Sequence, residues 1–568
     1  MINLYQQKKY QPEDILIENI AEDYISESSN TESVLKLNTL ENASDLEVNH
    51  LTKLADKVIS VFEKVEEYSG QGKTTANPLI VTVASWYENI RNAMEFRQEE
   101  VVLRSAIQRI LKRRILLRGS GKSIAKPLIR ELVWARYFIE DDLPDNVEVE
   151  VIRQIDIYLL FKQKIFSQKI LSVRVINEWI IHLMSSSIER LLNTNKEKEV
   201  MNNLVFQILK NNIIITDDSE QTRDAQVFIA VRKSFAKDDV AFLRYHLFTQ
   251  FFGDLTMNNI ELASRDFLKV YKEIYKQLNY KRKDAIFNYV KRKTGAFFIL
   301  EDIFHIGRYH VRDIIKNSDE LQKTVLAACQ ARYKGIASKV RRAFIRSVLF
   351  IIFTKSFFAF AVEGTFESMV YGHVVWNSIF LNASLPPLIM IFFGLFIRIP
   401  RKDNSLRILN HIKIILFNEN PILGQAFIIS KREKNINPLL SIAFSSLWFL
   451  GFFVSFGILI FILFKLHFNL ISQCIFLFFS TIVSFLCYRI SLMASVYSVD
   501  PKPRLLTPIF DFFFMPIIRV GRNFTEGISQ INILLFVFDF IIETPFKGLF
   551  SFFEQWFLYL QSKREGLE

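Results

Sequence analysis

Cysteine is nearly absent from this chain, with three in 568 residues. Cys474 and Cys487 fall in one apolar stretch and stand about 20 Å apart if it is helical, while Cys329 lies alone in a helical stretch. This excludes a disulfide framework and a cysteine-based zinc site, and suits a reducing compartment. Histidine is also scarce, with eight scattered residues, so no Ser/His/Asp or Cys/His arrangement can be assembled. Regular apolar–polar alternation is almost missing, which argues against a β fold. No strict internal repeat occurs. The first 340 residues hold no apolar run long enough to cross a bilayer. The opening residues Met1 to Asn30 carry Glu13, Asp14, Glu18, Glu22 and Asp23, which does not read as a signal peptide.

What remains is helical pattern followed by membrane pattern. Residues 1–50 are acidic and polar and read as a mostly disordered tail. Residues 51–340 read as an all-α cytosolic domain. Leu51, Leu54, Val58, Phe62 and Val65 recur at helical spacing, and Asn77-Pro78 is a helix start. That helix is expected to reach about Leu117. Further helices are expected at about 123–138, 147–163, 166–194, 198–211, 219–235, 237–252, 258–278 and 280–293, with a break at Gly295. From about Ser318 one long helix is expected, becoming basic at Lys334, Lys339, Arg341, Arg342 and Arg346 before turning apolar.

Residues 341–500 read as a transmembrane domain of four spans, since a span needs about 20 mainly apolar residues. The segments are 345–364, 374–399, 439–464 and 470–492, the last two joined closely enough to form a hairpin. The net charge is +12, and Lys and Arg gather before the first segment and in the loop 400–438. The positive-inside rule then puts both termini and 400–438 in the cytoplasm of an inner-membrane protein, and 363–373 and 465–469 outside. Lys465 alone opposes this. Residues 501–568 read as membrane-associated helices that either lie amphipathically on the membrane or form a further hairpin of 506–520 and 531–544.

Gly70-Gln-Gly72-Lys73-Thr74 and Gly119-Ser-Gly121-Lys122-Ser123 end as a phosphate-binding loop does, but the earlier glycine is Glu67 or Leu116 and both sites follow helices. They read as interhelical loops. Glu301 and His305 share a helical face without a third metal ligand. No metal, cofactor or catalytic residue is therefore assigned. The basic helices at 104–122 and 281–293 read first as solvated faces, and second as contacts to anionic inner-leaflet lipids. No motif supports nucleic acid. The pointed residue is Lys355, because a charge mid-membrane costs about 2.5–3.5 kcal/mol on insertion scales. Glu363, Glu367, Asp511 and Asp539 are its candidate partners, and Glu543 is a further polar residue in apolar surroundings.

The runs Trp86-Tyr-Glu-Asn-Ile-Arg-Asn92, Ala106-Ile-Gln-Arg-Ile-Leu-Lys-Arg-Arg114 and Asp539-Phe-Ile-Ile-Glu-Thr-Pro-Phe-Lys547 resemble an uncharacterised family of predicted membrane proteins from small-genome bacteria. The resemblance touches both the soluble and the membrane parts. It implies a membrane protein and transfers no activity and no functional residue. The leading expectation is a partner-binding or membrane-organising scaffold with an unknown protein partner. A small transporter or channel built on the bundle is the alternative, and a nucleotide-dependent enzyme comes third.

Overall fold

The computed structural model describes residues 50–64, 99–116, 119–138, 146–169, 171–193, 195–216, 218–372, 376–429, 438–466, 468–501 and 507–530, with single positions at 82, 85, 88, 552, 556, 559 and 560. These residues form two compact units. The first comprises the described residues within Met1–Leu321, His411–Ile429 and Pro545–Glu568, and the second those within Gln322–Asn410 and Ser430–Thr544. The sequence-based division left 411–429 with the membrane domain. The structure assigns it to the first unit, because the segment carries a strand and backbone contacts that complete that unit.

The first unit contains α1 (Lys53–Lys64), α2 (Glu99–Leu116), α3 (Gly121–Trp134), α4 (Val147–Ser167), α5 (Val173–Leu192) and α6 (Lys196–Asn211). Strand β1 (Ile213–Ile215) follows, then α7 (Glu220–Val231), which runs into a π-turn (Arg232–Ala236). Next come α8 (Val240–Phe252), α9 (Ile260–Leu278), α10 (Lys283–Gly307) and α11 (Val311–Lys316). Several starts are set by side-chain caps that satisfy otherwise orphan N–H groups. Asn195 accepts from Lys198 N, Ser219 from Thr222 N, and Asp239 from Ala241 N and Phe242 N. The expected break at Gly295 is not observed. Gly295 is buried inside α10, and burial of Val290, Phe297, Leu300 and Phe304 around it outweighs the roughly 1 kcal/mol helical penalty of glycine.

The core of this unit is mainly aliphatic, with an aromatic cluster set into it. Phe161 meets Phe248 and Phe267 edge to face, and Trp179 meets Phe267 likewise. Each such buried phenylalanine contributes about 1.5–3 kcal/mol. One small β element interrupts the helical plan. β1 pairs in parallel with β2 (Phe427–Ile429), matching Ile213 to Phe427.

The second unit is built from most of α12 (Ser318–Phe358), a π-turn (Ala359–Gly364), α13 (Thr365–Tyr371), α14 (Trp376–Gly394) and the start of α15 (Lys402–Phe417). It continues with α16 (Pro438–Lys465), α17 (Leu470–Ala494) and α18 (Thr507–Gln530). Among the described residues, three stretches are long and apolar enough to cross a membrane: Ser318–Val370, Leu439–Lys465 and Leu470–Ala494. Ile379–Gly394 is a shorter apolar helix.

Two expectations change here. The segment 363–371 is helical, so no loop opens at Glu363; the break comes at Gly372, whose φ of +71° suits glycine. Residues 507–530 form one helix where a stop near 520 was expected. Its Gly521 allows close packing on α17, since a Cβ there would lie 1.9 Å from the carbonyl oxygen of Thr481. Finally, α16 and α17 are consecutive, yet α18 packs along both of them. Ser455 of α16 donates to the Phe513 carbonyl of α18 at 2.8 Å.

Gly521→Ala should therefore lower the thermal stability of the detergent-solubilised protein, by at least the roughly 1–3 kcal/mol typical of overpacking. Gly457→Ala, on α16 with open space around it, is the control and should cost nothing. Equal melting of the two variants would contradict the α17–α18 packing.

Candidate functional sites

A lysine among apolar helices needs a partner within reach of its ammonium. Lys355 has one in Glu363. Its Nζ donates to Glu363 Oε1 at 2.8 Å, and both side chains are fully buried. In an uninterrupted α-helix, residues eight apart are rotated by about 80° around the axis. The π-turn between them absorbs one extra residue, which brings the pair to within about 20° of one face. The backbone irregularity thus turns the two side chains toward one face.

Two other helices complete the site. Glu363 Oε2 accepts from Asn382 Nδ2 of α14 at 2.8 Å and from Ser472 Oγ of α17 at 3.4 Å. Asn382 Nδ2 also donates to the Ser472 carbonyl at 3.2 Å. The Lys355 ammonium lies 5.3 Å from the centre of the Phe479 ring, an additional favourable cation–π contact. One turn on, buried Glu367 accepts from Asn469 Nδ2 at 2.8 Å, and the Oδ1 of the same asparagine caps α17 by accepting from Ser472 N.

Of the other acidic residues singled out in the sequence, Asp511 is exposed on α18. Asp539 and Glu543 lie outside the described residues. So does the loop 70–74. At the second loop, the Gly121 N–H donates to the Asp156 carboxylate at 2.8 Å, and a Cβ on Gly121 would come within 2.5 Å of the Ile152 carbonyl. The glycine serves the packing of α3 on α4, and a protein carboxylate already takes the helix N-terminal position that favours an anion. His305 Nδ1 lies 3.5 Å from Glu197, and its ring packs edge-on against Phe62. Among the described residues, no group of three or more His, Cys, Asp or Glu side chains is placed to hold a metal.

The basic helix 104–122 is not a solvated face over α2. Arg104 is fully buried, pairs with Asp239, and donates to Gln108 and Ser185. Arg109 holds Glu88, and Arg113 and Arg114 share Glu131. Periodicity alone gives no means of telling these arginines from surface ones.

Sequence reasoning also missed a second buried polar cluster, in the first unit. Arg232, on the π-turn, donates to Asp238 at 2.6 Å and to both oxygens of Glu199, and it meets His246 Nε2. A guanidinium only donates, so His246 must accept at Nε2 and is neutral there. Burial and then the Arg232 charge hold its pKa well below the usual histidine value. Burial pushes Asp238 up to about 6 although Arg232 opposes the shift, and burial pushes Glu189 up to about 7. His182 is lowered to about 4 by burial and by Arg244 and Arg104. A cleft of about 460 Å³ opens beside Asp238 and Asp239, walled by Trp179, Tyr275 and Phe287. Arg244 lies over Trp179 at 4.9 Å, and Lys233 over Phe287 at 4.9 Å.

No family model, curated protein or solved structure matches the chain. Its function is therefore argued from these two sites and the fold that holds them.

Lys355→Leu leaves Glu363 buried without its counter-charge and should destabilise the protein by about 3–5 kcal/mol. Adding Glu363→Gln should restore much of that loss. Thermal melts of the single and double variants in detergent measure both effects; an undisturbed Lys355→Leu protein would contradict the pairing.

A pH test addresses the first unit. The folded pKa of Glu189 is raised, so its contribution to stability is fully present below about pH 4.5 and is lost as pH rises to about 7. His182 has the opposite sign, its contribution being lost as pH falls from about 6.5 to about 4. Glu189→Gln removes only the first of these. The variant should be more stable than the parent by roughly 1–3 kcal/mol at pH 8 and no more stable at pH 4.5. Melts at the two pH values check the difference.

Proposed function

We propose that the chain is a multi-pass inner-membrane protein whose first unit is a cytoplasmic helical platform for a protein partner. The observation that carries this reading is a change in surface character along the chain. From Ile345 to Leu492 large apolar side chains face outward in close succession, with Phe353 at 74% and Phe453 at 75% exposure. The first unit instead encloses a hydrophobic core of its own and exposes apolar side chains only singly.

Several features support four spans with both termini inside. α14 has 19 residues, about 28 Å of helix, close to the thickness of a bilayer core. Exposed Arg341, Arg342 and Arg346 precede the apolar part of α12, and Arg401 and Lys402 follow α14, which suits an anionic inner leaflet. A protein partner is favoured over nucleic acid because the arginines of α2 are already engaged by carboxylates within the unit. The Lys355–Glu363 cluster acts in this reading as the pin that holds the membrane helices in register.

Cysteine labelling tests the orientation. In a Cys474→Ser background, an impermeant maleimide should reach Ser368→Cys only from outside intact cells and Asp403→Cys only in inverted vesicles. The reverse pattern would overturn the topology. Affinity capture of the full chain from solubilised membranes should recover a stoichiometric protein; a chain that always elutes alone would remove the platform role.

A further inference from the structure

A crevice of about 390 Å³ lies within the second unit, between α14 on one side and α16 and α18 on the other, with α17 as its floor. Phe393 of α14 meets Phe514 of α18 edge to face at 5.3 Å and bridges the two sides. Leu388 and Phe392, which also line it, are exposed on α14, so the crevice opens on the apolar outer surface. Among the described residues its lining holds no charge, and its polar groups are two serines of α17. The Ser484 hydroxyl donates back to the Ser480 carbonyl at 2.8 Å, and Thr481 donates likewise to the Phe478 carbonyl at 2.8 Å, as helical hydroxyls commonly do. Ser480 does not follow them. It is 5% exposed, and among the described residues its Oγ has no partner. A hydroxyl so placed costs free energy unless something in the crevice accepts from it.

We propose that this crevice binds a neutral, membrane-soluble molecule of the quinone class, with a ring carbonyl accepting from Ser480 Oγ. Depth decides against an ordinary bilayer lipid. Ser480 lies about 15 Å along α17 from Leu470, half-way through a hydrocarbon core of about 30 Å. A phospholipid keeps its carbonyl oxygens at the interface, so its tail at this depth fills space and leaves the hydroxyl unpaired. The uncharged lining decides against phosphate or carboxylate, which need a counter-charge in apolar surroundings. Phe392, Phe393 and Phe514 favour a flat ring over a chain, since electron-rich phenyl faces attract an electron-poor quinone ring. An apolar pocket with one placed polar group is the common form of a small-molecule site. Binding here needs no partner on the first unit and no particular orientation of the chain in the membrane.

The test uses the full chain in detergent, with decylubiquinone as the probe and decylbenzene as the counterpart that keeps ring and tail but lacks the carbonyl. The quinone should raise the melting temperature of the parent by about 3 °C or more, as expected for a ligand that binds only the folded state, and decylbenzene should raise it less. Ser480→Ala, which deletes one oxygen, should weaken the quinone by about 3–10-fold in concentration dependence and leave the response to decylbenzene unchanged. Leu459→Trp, which fills the crevice from α16, should abolish both responses. The proposal is overturned if the parent does not respond to the quinone. Equal responses to the two probes also overturn it and make the crevice a groove for hydrocarbon alone. So does a quinone response that Ser480→Ala leaves unchanged, or one that survives in Leu459→Trp.

Discussion

The arrangement of the second unit follows from the need to give one buried lysine a counter-charge. Removing an ammonium and a carboxylate from water costs several kcal/mol per ion, recovered only where geometry is close and the remaining oxygens are satisfied. Here the helix leaves its α register for one turn so that Lys355 and Glu363 meet. The carboxylate then needs further donors, and it takes them from two different helices, through Asn382 and Ser472. Three elements are thereby fixed by one side chain. The apolar contacts around the pair, with Ile351, Met390, Phe479 and Val483 buried together, can adapt in shape but carry no directional information. The ion pair supplies that information.

The first unit meets a similar constraint by different means. Two of its buried charges, Arg104 and Arg232, are arginines, whose planar forks engage several acceptors at once. Arg232 holds two carboxylates and a histidine, and it too sits on a π-turn, which ends at Lys237 in the left-handed region. Arg104 ties α2 to the N-terminal cap of α8 through Asp239. The groups around these arginines titrate far from their ordinary values because burial dominates their surroundings, and the two histidines and the carboxyls shift in opposite senses. In both units the departure from regular helix coincides with a buried cation.

Much of the fold was legible because helical periodicity and apolar runs are local properties. The bounds of α4, α6, α8 and α9 lie within a few residues of where spacing put them, and the long helix from Ser318 begins at its asparagine cap. Lys355 was legible as anomalous, since a charge in an apolar run stands out without any structure. Spacing offered Glu363 first among its acidic neighbours, being on the same segment. At regular helical pitch it stands about 80° around the axis from Lys355, and no pattern in 359–364 announces the π-turn that closes this angle. Arg104 and Arg232 were illegible for another reason. A buried arginine and an exposed one look the same in a helix pattern, and their partners Asp239 and Glu199 come from elsewhere in the chain. The strand β2 was hidden because three residues cannot establish alternation.

That strand has a bearing on how the protein is made. Thr216 reaches Ile429 across 213 residues of chain, and Thr52 N, Tyr289 Oη and Asn212 similarly bond to carbonyls between Leu416 and Gln425. The apolar sequence of α12 and α14 lies between these halves. On a ribosome the N-terminal helices emerge first, and their helical partners up to Lys316 all precede the first apolar helix, so they can collapse early. The edge beside β1 nevertheless stays open until synthesis has passed two apolar helices and returned to polar sequence. Completion of the first unit is thus timed by the elongation of the second.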